Sequence, residues 1–94
     1  MAAVYILYSE SINNYYTGSC IEINFRLEQH LSKMMDRSFT KRAIDWKIFF
    51  LIDNLGYSQA RGIEKHIKRM KSRKYIEDLK KFPEIVNKLK LRYQ

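Results

Sequence analysis

The sequence predicts an α/β domain: a small three-stranded antiparallel sheet flanked by helices, in the order ββαβαα. Two β-rich runs bracket a polar turn within the first twenty residues. The hydrophobic spacing then changes to a helical period over 22–35, and an apolar run of strand length, Trp46 to Ile52, precedes further helical patterns. At 94 residues, 46% of them apolar, the chain has room for one core and not two.

Ala2 to Tyr8 reads as a buried strand, and Asn13-Asn14 as a tight turn leading into a second strand from Tyr15 to Ser19. Over 22–35, Ile23, Leu27, Leu31 and Met34 fall within an arc of about 80° at 100° per residue, a core-facing stripe. Arg26 and His30 flank that arc. Residues 35–43 are a polar, basic connection. The near-continuous apolar character of Trp46 to Ile52 predicts a central strand. Asp53-Asn54-Leu55-Gly56 closes it, and Ser58 is the expected N-cap of the next helix. There Ala60, Ile63, Ile67 and Met70 share a face, and Gly62, costing roughly 1 kcal/mol against alanine, suggests close packing. Ser72 starts a further helix through Lys81, with Tyr75, Ile76 and Leu79 inward. Phe82-Pro83 breaks it, and 84–91 forms a last amphipathic turn or two.

The charge is unevenly placed. Residues 1–54 hold six basic and six acidic side chains, whereas 55–94 hold twelve and four, which is the whole net charge of +8. Arg61 to Lys74 carries seven cations around the single carboxylate Glu64. Such a face suits a polyanion, nucleic acid first, although solvated Lys-rich helices are common. The sole cysteine, Cys20, excludes an internal disulfide framework and a cysteine-based zinc site, and fits a reducing, cytoplasmic setting. No basic leader and no apolar run of the ~20 residues needed for a membrane span is present, so no membrane association is expected.

One cysteine and two histidines offer no Ser-His-Asp or Cys-His arrangement, and His30 and His66 lack metal-ligand spacing. Tyr5, Tyr16, Arg26, His30 and Glu64 stand at expected core borders, and phosphodiester cleavage uses these residue types. A carboxylate holds a hard divalent cation. A guanidinium stabilises phosphate charge. A phenol or imidazole handles a water proton. Each also has a plain structural reading: strand tyrosines pack, Arg26 pairs with Glu22, His30 is half-buried, and Glu64 is an ion-pair partner. Two non-catalytic alternatives stand beside the enzyme: a nucleic-acid-binding module built on the basic C-terminal helices, and a protein adaptor using Phe82, Ile85 and Leu89 as exposed apolar residues.

Ala3-Val4-Tyr5, Tyr16-Thr17-Gly18, Arg26 with His30 four residues on, and Glu64 within Ala60 to Lys68 come in an order and spacing that resembles the GIY-YIG nuclease superfamily. The likeness is greatest to its small single-domain bacterial members, which Asp45-Trp46-Lys47 and Lys71 to Lys74 also resemble. It covers about residues 3–80 of one domain spanning 1–94, leaving 82–94 as a short helical extension. Ala3 replaces the leading glycine, Thr17 the middle isoleucine and Cys20 a frequent threonine, and Asn87 is assigned no role.

The resemblance implies a metal-dependent DNA endonuclease, with Mg²⁺ or Mn²⁺ on Glu64 and water in the remaining positions. It also implies that Arg26 stabilises the attacked phosphate, that Tyr5 is a general base or a hydrogen-bond donor, and that Tyr16 and His30 orient water and phosphate. Lys65, Lys68, Arg69, Lys71, Arg73 and Lys74 would hold DNA. No small-molecule cofactor is expected, and with no DNA-targeting segment in this stretch, little sequence preference. The DNA form and the oligomeric state are left open.

Overall fold

The computed structural model describes residues 1–21, 43 and 45–94, so the helix expected over 22–35, with Arg26 and His30, lies outside the described residues. Strand β1 spans Ala2–Ser9, β2 Asn14–Cys20 and β3 Lys47–Leu55. Helix α1 spans Tyr57–Met70, α2 Arg73–Lys81 and α3 Pro83–Arg92. The sheet is antiparallel with the order β2-β1-β3.

Strand β1 therefore lies in the middle, and its composition follows from that place. Ala2, Val4 and Ile6 face a core built with Ile63 and Ile67 of α1, Leu79 of α2 and Leu89 of α3. Ala3, Tyr5 and Leu7 face the other way and pack with Cys20 and Trp46. Alternate side chains leave opposite faces of a strand, so a strand covered on both faces is apolar throughout.

β3 is an edge strand of this sheet and not the central one its apolar run suggested. Ile48 is 40% exposed, while Phe49, Phe50 and Leu51 are half-buried. Aromatic and aliphatic contacts cover this strand in place of a second neighbour. The Phe49 ring meets Tyr15 edge-on at 5.1 Å, and the Lys80 ammonium stands 4.7 Å above it. The register against β1 steps from Phe50 to Ile48, leaving Phe49 as the extra residue of a bulge.

The β1–β2 turn is held at both ends. Asn13 adopts a left-handed conformation (φ 49°), and its amide donates to the Glu10 carbonyl. Its side-chain oxygen accepts from Tyr8 Oη at 2.7 Å and Arg73 Nη2 at 2.6 Å, tying the turn to α2. Asp45 accepts from Ser9 Oγ at 2.6 Å and from the Ser11 amide and hydroxyl at 2.9 and 2.8 Å. Those hydrogen bonds, Ser9 first, bring its carboxyl down to about 2.

Gly56, not Ser58, is the N-cap of α1, because β3 continues to Leu55 and leaves a single linking residue. The Gly56 amide donates to Gln59 Oε1 at 3.1 Å. Ser72 caps α2 as expected, accepting from the Tyr75 amide at 3.1 Å. Pro83 opens α3 at its first turn, where no amide hydrogen is needed, so 84–91 lies within a full ten-residue helix. Leu89 is buried and Ile85 packs on the core, leaving Phe82 as the exposed member of the apolar trio considered for an adaptor; Met70, at the end of α1, is also exposed. Gly62 lies against Tyr93: a Cβ there would come within 2.7 Å of the ring. The same Tyr93 bonds His66 Nδ1 at 3.0 Å, while His66 Nε2 meets Tyr75 Oη at 3.1 Å, so one imidazole joins α1 to α2 and to the residue that follows α3.

Candidate active site

Tyr5 stands mid-strand in β1, directly opposite Gly18 of β2. Its ring crosses over that glycine. A Cβ on Gly18 would lie 2.6 Å from Tyr5 Cζ and 2.9 Å from Cε1, with the hydroxyl nearer still. The missing side chain at Gly18 is thus what gives the Tyr5 phenol its place. Tyr16 lies on the same face, opposite Leu7, with its ring stacked on Tyr5 at 6.5 Å and edge-on to Trp46 at 6.3 Å. Tyr5 is fully buried rather than at a core border, because the central strand is covered on both faces; Tyr16 is half-buried.

Glu64 reaches β2 one residue further on. Ser19 Oγ donates to Glu64 Oε1, and Lys68 Nζ donates to Oε2 at 2.7 Å. Ser19 pairs with Val4, whose side chain faces the helices, so Glu64 and the tyrosine pair approach β2 from opposite faces of the sheet. They meet at an edge strand, on successive residues Gly18 and Ser19. The Glu64 side chain is 15% exposed against 52% for Lys68. Burial raises its pKa, but hydrogen bonds from Lys68 and Ser19 and the charges of Lys68 and Arg61 outweigh that, so the net direction is down. The carboxylate is held ionised.

Lys68 follows Glu64 at i+4 and so shares its helix face, and Lys71 caps the helix just past its end. They line a cleft of about 480 Å³ with Arg73, between Asn14–Thr17 of β2 and the α1–α2 junction. Lys65, Arg69 and Lys74 are exposed but are not part of its lining. Of the residues expected to act together, the described part of the structure joins Tyr5 with Tyr16 and places Glu64 on the neighbouring residue of β2, across the sheet from them. Ser19 was missed, whereas the ion pair foreseen for Glu64 has Lys68 as the partner that was not named. The i,i+4 spacing carries a signal for the second, whereas the first depends on which strand the helix crosses.

A divalent cation fits this carboxylate. Each Glu64 oxygen accepts one hydrogen bond and keeps a second lone pair. Mg²⁺ commonly binds through one or two carboxylates and retains several waters. Among the described residues no group of three or more His, Cys, Asp or Glu gathers, so a single-carboxylate, water-rich site is the kind these residues can offer. No helix among them is long and apolar enough to cross a membrane.

Comparison with known proteins gives the family. Residues 1–76 match the family model described as the GIY-YIG catalytic domain. No curated protein and no solved structure matches the chain. With more than three quarters of its length covered by that model, and with the three-stranded sheet and helices in place, the chain belongs to the GIY-YIG family and carries its nuclease-type domain.

Proposed function

We propose that the protein is a divalent-metal-dependent endonuclease that hydrolyses DNA phosphodiester bonds with little intrinsic sequence preference. The observation that carries this reading is Glu64. It is a half-buried carboxylate kept ionised within the most cationic helix, bonded to the residue next to the Gly18 that seats Tyr5. A module that only binds phosphates would gain from this anion no more than its bond to Ser19 and its pair with Lys68.

Mg²⁺ or Mn²⁺ on Glu64 would polarise a phosphoryl oxygen and support the leaving oxygen. Arg26 stabilises charge on the attacked phosphate, Tyr5 accepts the proton of the attacking water or donates a hydrogen bond to it, and Tyr16 and His30 orient water and phosphate. Lys65, Lys68, Arg69, Lys71, Arg73 and Lys74 hold the DNA backbone, all six exposed. Residues 82–94 serve as an extension of one domain, and the setting is cytoplasmic.

Purified protein with Mg²⁺ is expected to nick or cleave DNA. Glu64→Gln is expected to abolish cleavage while DNA binding persists. Cleavage that survives Glu64→Gln removes the residue assignment. Binding without cleavage in either Mg²⁺ or Mn²⁺ replaces the enzyme with the non-catalytic module.

A further inference from the structure

The cleft beside Glu64 is more than a cationic surface. Three of its lining residues are Lys68, Lys71 and Arg73. The rest of its wall includes the Tyr15 ring and Ile76, apolar surface that a phosphate does not use. Its volume, about 480 Å³, lies within the range of pockets that enclose a small organic ligand. A paired strand of duplex DNA presents phosphates on its outside and keeps its bases stacked within. It would use the cations and leave the aliphatic and aromatic wall empty. A nucleotide out of the stack uses both, setting its base against the wall and its phosphate against the cations.

Two further observations locate the phosphate. Lys71 ends α1 in the left-handed region (φ 47°), a conformation that disfavours any side chain. Among the described residues it makes no salt bridge or side-chain hydrogen bond that would account for a lysine there. Its ammonium is thus a cation carried at a conformational cost on the cleft. Lys68 lines the same cleft while bonded to Glu64, so a phosphate held there stands next to the carboxylate.

We propose that this cleft binds one unpaired nucleotide of the DNA strand, its phosphate held by Lys68, Lys71 and Arg73 and its base against Tyr15 and Ile76. The preferred DNA form is then one with an unpaired nucleotide, a bulge or a frayed or branched end, over an unbroken duplex. This rests on the nuclease reading for the nature of the ligand, but it is tested by binding alone.

Fluorescence anisotropy with the full chain in excess EDTA would compare a fully paired duplex with the same duplex carrying a single-nucleotide bulge. Stacking and apolar contact with one base predict about tenfold tighter binding of the bulged DNA. Lys71→Gly removes the cation at a position whose backbone glycine adopts without strain, so the fold is kept. It is expected to weaken binding of both DNAs, as loss of a phosphate contact does, but that of the bulged DNA at least about fivefold more, so that most of the preference is lost. Equal affinity for the two DNAs overturns the proposal, as does a preference that survives Lys71→Gly. Either of those results beside retained Mg²⁺-dependent cleavage overturns the cleft and not the nuclease. Loss of cleavage on every DNA form beside an intact bulge preference does the reverse.

Discussion

Gly18→Ala isolates the contact on which the tyrosine geometry depends. No glycine of the protein has a positive φ, so alanine suits the Gly18 backbone and the cost is one of space alone. The added Cβ would lie 2.6 Å from Tyr5 Cζ and 2.9 Å from Cε1. Carbon pairs rest at about 3.5–4.0 Å, so ring and strand must part by roughly 1 Å. The ring has little freedom to move: it is rigid, fully buried and stacked on Tyr16. Overpacking of this kind costs about 1–3 kcal/mol. In a domain of this size each kcal/mol is worth about 4–8 °C, which gives a fall in Tm of about 4–24 °C. Circular-dichroism melts of Gly18→Ala, Tyr5→Leu and the double variant measure it. Tyr5→Leu removes the obstructing ring, so the alanine should then cost at least about 1 kcal/mol less. A single-variant Tm within about 2 °C of the parent, or equal losses in both backgrounds, would refute the packing argument.

Two other groups give separate tests. Burial, with the charges of Arg92 and Arg69, lowers the pKa of His66, so the folded protein favours neutral imidazole. Below the ordinary value of 6.5 the unfolded chain takes the proton first, and stability present above that pH is lost as pH falls through the folded pKa. The parent should therefore lose more Tm between about pH 7.5 and 5.5 than His66→Gln does; equal losses would show that the imidazole linking Tyr75 and Tyr93 is not titrating there. Lys68 competes with any cation for Glu64, so Lys68→Met should tighten Mn²⁺ binding, read by calorimetry without DNA, by up to about fivefold for a pair this exposed. Unchanged or weaker binding would mean that the lysine does not obstruct the carboxylate.

Much of this protein was legible along the chain because the signals are local. β-rich composition marked β1 and β2, the Asn13 turn followed from residue preference, and Ser72 announced α2. The order and spacing of Tyr5, Tyr16, Arg26, His30 and Glu64 were enough to suggest the family that the match over residues 1–76 establishes. What misled was the apolar run of β3. Hydrophobicity reports that a strand's faces are covered and does not say whether strands or side chains cover them, so an edge strand shielded by Tyr15 and Lys80 read as a central one. Leu89 and Ile85 read as surface for a related reason, since a short helix shows its partner only after it docks.

By itself the sequence determined the kinds of groups present and their local setting: a basic second half, four tyrosines in two β-rich runs and one acidic residue among seven cations. Tertiary structure decided which of these meet. Pairing β1 with β2 set Tyr5 over Gly18, and packing α1 against that sheet brought Glu64, 45 residues along the chain, onto Ser19. It also made a cleft from the α1–α2 junction and a strand edge more than fifty residues earlier. Spacing along a chain fixes faces within one element, through the helical and strand periods. Register and docking are set by the burial of apolar area shared among several elements, and no single segment encodes that.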